Sequence, residues 1–129
     1  MKNNTLSEVL YSERYYDDVY KCPFIFCHAG SKLQAYNELR LNLGLEEKDL
    51  EMNNPSGSFL TVEGYYGCCI WIKDFDTTEA SSLSTLMHEC IHATMYIFDY
   101  VGVEISIHNE EAFAYYSEHL FRSFIQLFR

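Results

Sequence analysis

The sequence predicts an α+β domain: a small, mainly antiparallel sheet packed with helices. Three observations carry this reading. Up to about residue 75, short runs rich in β-branched and aromatic residues are separated by glycine-containing turns. Beyond that point, two long stretches keep their apolar residues at helical spacing. The chain has 129 residues, which suits one domain spanning 1–129 that buries roughly two thirds of its unfolded surface.

The elements follow in order. Residues 7–20 are aromatic and charged and read as a short helix or the start of a strand, ending near Pro23. "PFIFCHAG" reads as a buried strand stopped by Gly30. Ser31 then caps "KLQAYNELRLNLG", in which Leu33, Tyr36, Leu39 and Leu43 keep helical spacing and Gly44 closes the helix. "EEKDLEMNNPSG" is a polar connection with turn chemistry. "SFLTVEGYYGCCIWIKDF" reads as two strands joined by a short glycine-flanked turn. Asp76 followed by Glu79 resembles a capping box, so a helix is expected from about 77 to 100, with Gly102 beyond its end. A last helix starts near Asn109, a good N-cap, and runs to the C-terminus.

Composition narrows the function. Net charge is −10, which argues against direct binding to nucleic acid or to an anionic membrane. No apolar run reaches the ~18 residues of a membrane span, and "MKNNTLSEVL" lacks a signal-peptide pattern. A soluble cytoplasmic protein is expected. Five cysteines (Cys22, Cys27, Cys68, Cys69 and Cys90) stand at irregular spacings without paired CxxC units. They read as small buried apolar residues in a reducing compartment. In a strand, Cys68 and Cys69 would point to opposite faces and could not clamp one ion together. From Asp74 to Phe121 there are nine acidic residues and four of the five histidines, but no Lys or Arg. Such a stretch creates a negative field that favours a bound cation, or simply forms a solvated acidic face.

Within that stretch lies "LMHECIHATMY", which contains His88-Glu89-Cys90-Ile91-His92, an HExxH pattern. At about 100° per residue from His88, His92 falls near 40°, Thr85 near 60°, Tyr96 near 80° and Glu89 near 100°. The apolar set Leu83, Leu86, Cys90, Ile91, Thr94, Ile97 and Phe98 covers roughly 160–300°. The histidines and glutamate therefore share a side distinct from the core stripe. Imidazoles one turn apart can both reach one Zn²⁺ at about 2 Å. Glu89, to one side, can reach a water on the ion without ligating it.

A catalytic zinc takes three protein ligands. Downstream, "HNEEAFAYYSEHLF" places Glu110 and Glu111 at the start of the last helix. Measured from Glu111, Tyr115 falls near 40°, while Phe113, Leu120, Phe121, Phe124 and Phe128 cover about 180–280°. Glu111 thus lies on the polar face, and its edge could meet the histidines if the two helices pack through their apolar stripes. Glu110 is accounted for by favourable interaction with the helix dipole.

HExxH followed some twenty residues later by a glutamate on a second helix resembles the gluzincin metallopeptidases. "LMHECIHATMYIFDYVG…NEEAFAYYSEHL" is more specifically similar to small phage-encoded zinc peptidases with an EAxAY-type second helix. The resemblance covers about residues 83–120. It implies a minimal zincin-like domain that hydrolyses peptide or protein substrates, in the host cytoplasm if phage-encoded. His88, His92 and Glu111 would hold Zn²⁺, and Glu89 would take a proton from the attacking water. Larger gluzincins carry an Asp four residues after the ligand glutamate, where this chain has Tyr115. Tyr115 is the first choice to stabilise the developing oxyanion, with Tyr116, His108 and His119 as alternatives. By the same resemblance, "GCCIWIKDF" would be the edge strand that pairs with substrate. Two other readings stand beside it: a small acidic interaction protein that mimics nucleic acid, and a zincin fold without turnover.

Overall fold

A computed structural model describes residues 9–129. β1 (Leu10–Asp17) and β2 (Cys22–Ala29) form an antiparallel hairpin in register from Leu10↔Ala29 to Asp17↔Cys22. The expectation for residues 7–20 left helix and strand open. From Leu10 to Asp17 it is a strand, 18–20 form a turn, and residues 7 and 8 lie outside the described residues. The hairpin turn is held by Asp17, whose carboxylate accepts from the Tyr20 N–H at 2.7 Å. The buried strand read in "PFIFCHAG" is β2.

α1 (Lys32–Asn42) begins as read. The Ser31 hydroxyl accepts from the Gln34 N–H at 3.1 Å, and the Gln34 side chain accepts from the Ser31 N–H at 2.8 Å. This capping box satisfies two N–H groups that have no partner inside the helix. Gly44 follows at φ 81°, a left-handed conformation that glycine adopts without a Cβ clash. Leu39 is fully buried, with Tyr36 and Leu43 packed beside it.

β3 (Gly57–Thr61) and β4 (Cys68–Ile72) form the second antiparallel hairpin. The sheet order is β1-β2-β4-β3, so β2 and β4 meet in the middle and run parallel. The sheet is mixed but mostly antiparallel, and the α+β class holds. β4 is buried on both faces: Cys68, Ile70 and Ile72 pack toward the two long helices, while Cys69 and Trp71 pack under α1. The five cysteines are free and buried, and Cys68 and Cys69 do face opposite layers.

α2 (Ala80–Val101) starts three residues later than expected. The Asp76 carboxylate accepts from the Thr78 N–H at 2.9 Å and from the Thr78 hydroxyl at 2.7 Å. It is thereby engaged in a turn of its own and makes no helix cap. Glu79 is the N-cap residue and makes no side-chain capping bond. Gly102, at φ 82°, closes the helix as read. α3 (Glu110–Phe128) follows Asn109, whose side chain ties down the preceding loop by donating to the Glu104 carbonyl at 2.8 Å.

α2 and α3 run antiparallel. Phe98 meets Phe113 and Tyr116, and the Ser117 hydroxyl donates to Thr94 Oγ1 at 2.9 Å. Phe98, Leu120 and Phe124 of these helices share a core with Phe24, Phe26 and Ile70 of the sheet, all fully buried. Each contributes roughly 1.5–3 kcal/mol of hydrophobic stabilisation. Among the described residues, no helix is long and apolar enough to cross a membrane.

Candidate metal centre

α2 carries its eight buried residues toward the sheet and α3, leaving His88 and His92 exposed on the side that overlooks β3. The two imidazoles face each other, with Nε2 atoms 3.2 Å apart and rings at 79°. Two nitrogens bound tetrahedrally to one zinc at 2.0–2.1 Å are about 3.3 Å apart. The spacing therefore fits a pair of zinc ligands. Glu89 completes the group: one ligand atom from each of His88, Glu89 and His92 lies within 4.8 Å of the others. No other set of three His, Cys, Asp or Glu side chains among the described residues converges in this way.

Glu89 is held differently from the histidines. It is 7% exposed, and loss of water pushes its carboxyl above the usual carboxylate range. His88, His92, Lys32 and a hydrogen bond from the Phe59 N–H oppose that shift in part. The Phe59 N–H is free to do this because of the ladder phase. Lys73 donates to the Ser56 carbonyl at 2.9 Å, so Ser56, Ser58 and Leu60 turn their backbone groups toward β4. Gly57, Phe59 and Thr61 turn theirs outward. Phe59 also places its ring 6.5 Å from that of His92, nearly parallel to it.

The edge strand beside the group is therefore β3. The expectation that "GCCIWIKDF" supplies this edge is corrected: its β4 segment lies between β2 and β3 and is wholly buried. Its unbroken apolar run, without the polar alternation of a half-exposed strand, is the signal that marks it as central. Phe59 was missed in the sequence because its part is played by a backbone N–H that residue chemistry does not reveal.

The structure brings His88, Glu89 and His92 together and leaves the α3 residues apart. The α3 contacts of α2 run through Thr94 and Phe98, at about 240° and 280° from His88. That is nearly opposite the side on which the histidines and Glu89 lie. Glu111 and Tyr115 are exposed on α3, and Glu111 is not among the carboxylates and imidazoles that converge. Of the alternatives to Tyr115, Tyr116 is buried in the core and His119 bonds to the Tyr15 hydroxyl at 2.7 Å, while His108 is exposed ahead of α3.

A cleft of about 510 Å³ lies beside the first turns of α2, from Glu79 to Thr85, bounded by the residues leading into β3 and the end of β4. Thr85, one turn before His88 and Glu89, lines its inner end. Gly57 makes the close approach possible there, since a Cβ on it would sit 2.7 Å from the Thr85 methyl. The arrangement can hold a divalent cation beside a desolvated carboxylate, next to an open strand edge. Compared with protein-family models, with curated proteins and with solved structures, the chain matches none.

Proposed function

We propose that the protein is a zinc-dependent hydrolase of peptide bonds, centred on His88 and His92. The observation that supports this best is the 3.2 Å Nε2 separation beside a buried Glu89. Two imidazoles one helical turn apart would supply two of the three protein ligands that a catalytic zinc takes. Bound there, the ion would supply Lewis-acid polarisation of a carbonyl and would lower the pKa of water toward 7.

The chain's own residues do the rest. Glu89 accepts the proton of the attacking water and returns it to the leaving amine. Its raised affinity for a proton suits that exchange, and the Phe59 N–H keeps its carboxylate aimed along the strand edge. An extended peptide lying against β3 can use the outward backbone groups of Gly57 and Thr61 and the Phe59 carbonyl. In this proposal the ligand set rests on His88 and His92 with Glu89 in reach, since these three are the side chains that converge.

The test combines elemental analysis with a peptide-hydrolysis assay. One zinc per chain and turnover lost in Glu89→Gln are expected. Absence of metal after zinc supplementation overturns the proposal in favour of an acidic interaction protein. Zinc without turnover on a broad peptide mixture leaves a zincin-like site that does not catalyse.

A further inference from the structure

We propose that the cleft beside the first turns of α2, whose wall at Thr85 lies one helical turn before His88 and Glu89, selects a cationic side chain, so that the preferred substrates are peptides bearing lysine or arginine next to the bond cleaved. This rests on the hydrolase reading above and specifies its substrate class. Three features of the cleft lead there. Its volume of about 510 Å³ lies in the ~300–1,000 Å³ range of pockets that enclose ligand groups. Its inner end, at Thr85, adjoins the turn of α2 that carries His88 and Glu89, so a chain lying on the strand edge at the metal would drop a neighbouring side chain into it.

Its walls carry Asp74, Asp76 and Glu79 against a single cation, Lys73. Among the described residues, none of the three carboxylates forms an ion pair. Asp76 is kept ionised by its two bonds from Thr78, which hold its carboxyl below the usual range. The walls therefore present uncompensated negative charge to whatever enters. Ser82, also in the wall, is already satisfied by the Asp76 N–H and the Asp74 carbonyl. The carboxylates are thus the groups left to set the preference.

The experiment measures binding apart from turnover. Zinc-loaded Glu89→Gln protein is titrated with labelled peptides identical except for one position, occupied by arginine, norleucine or glutamate, and read by fluorescence anisotropy at low ionic strength. Arginine is expected to bind about tenfold tighter than norleucine, the size two partly exposed ion pairs supply, and glutamate weakest. In an Asp74→Asn/Glu79→Gln variant, whose changed side chains make no bonds among the described residues, the arginine preference should shrink to about threefold or less. Equal binding of arginine and norleucine, no binding of any peptide, or a preference that survives in the double variant overturns the proposal. Hydrolysis by the unsubstituted protein is assayed in parallel. Turnover without an arginine preference removes the specificity alone, whereas arginine-selective binding without turnover removes the peptidase reading alone.

Discussion

Ser117 on α3 and Thr94 on α2 share a hydrogen bond of 2.9 Å, and both side chains are buried. Thr94 in turn donates to the Cys90 carbonyl at 2.9 Å, so the pair is bonded back into α2 one turn below. Thr94→Val keeps the shape of the side chain but removes the acceptor, leaving the Ser117 hydroxyl buried without a partner. Chemical denaturation should show a loss of about 1–3 kcal/mol. Zinc content should not change, because this contact lies on the far side of α2 from the histidines.

The proposed metal ligands can be ranked by zinc affinity in competition with a chelator. His88→Ala and His92→Ala should each weaken binding by at least about a hundredfold, since two imidazoles are the firm donors of the site. Glu111→Ala is expected to stay within about threefold of the parent protein, because only a distant surface charge is lost. A loss as large as that in His92→Ala would mean that the first turn of α3 reaches the ion.

Glu89→Gln should retain zinc and abolish turnover. The amide oxygen can still accept from the Phe59 N–H, while the amide cannot take a proton from water. If this variant loses zinc as readily as His92→Ala does, Glu89 is a ligand and its role as base is wrong.

The same variant has a pH signature in the metal-free protein. Burial raises the Glu89 carboxyl above its ordinary value of 4.5, so the unfolded chain gives up this proton more readily than the folded one. The stability linked to that proton is present below the unfolded value and is lost as pH rises through the folded one. Glu89→Gln removes this dependence. Its melting temperature relative to the parent should therefore increase from pH 4 to pH 7. A difference that is flat across this range would place the carboxylate in a well-solvated setting.

Gly57 offers a test of packing next to the site. An added Cβ would lie 2.7 Å from the Thr85 methyl and 3.1 Å from both Ile72 Cδ1 and the Trp71 carbonyl. Gly57→Ala should cost about 1–3 kcal/mol by overpacking. Thr85→Ser, which removes only that methyl and retains the bond to the Ser81 carbonyl, should recover part of the loss. Full stability in Gly57→Ala alone would show that β3 can move away from α2 freely.

What the sequence reveals and what it hides divide along the range of the forces involved. Ser31, Gly44 and Gly102 act within one turn of chain, and each stands where its residue type led one to expect. His88, Glu89 and His92 converge because helical spacing alone brings them together. Asp76 shows the limit of such local reasoning, since its carboxylate had two nearby uses and took the tighter turn with Thr78. The side of α2 against which α3 docks was not legible. Either flank of an amphipathic helix can receive a second one, and here the choice was made by Phe98, Thr94 and Ser117 meeting over β1 and β2. The position of β3 at the edge likewise depends on a pairing between distant strands.

That distant pairing also bears on how the chain reaches its native state. The two hairpins, β1–β2 and β3–β4, join neighbouring segments and can form early, on the microsecond scale of isolated hairpins. The parallel seam between them cannot. Ile25 meets Cys69, some 44 residues further along, and closing so long a loop is entropically slow. Phe59, His88, Glu89 and His92 all lie on the C-terminal side of the seam, so the groups of the candidate metal centre can assemble before it zips. Metal present during refolding would then favour an intermediate with its C-terminal half already built, and the joining of the two halves would set the pace.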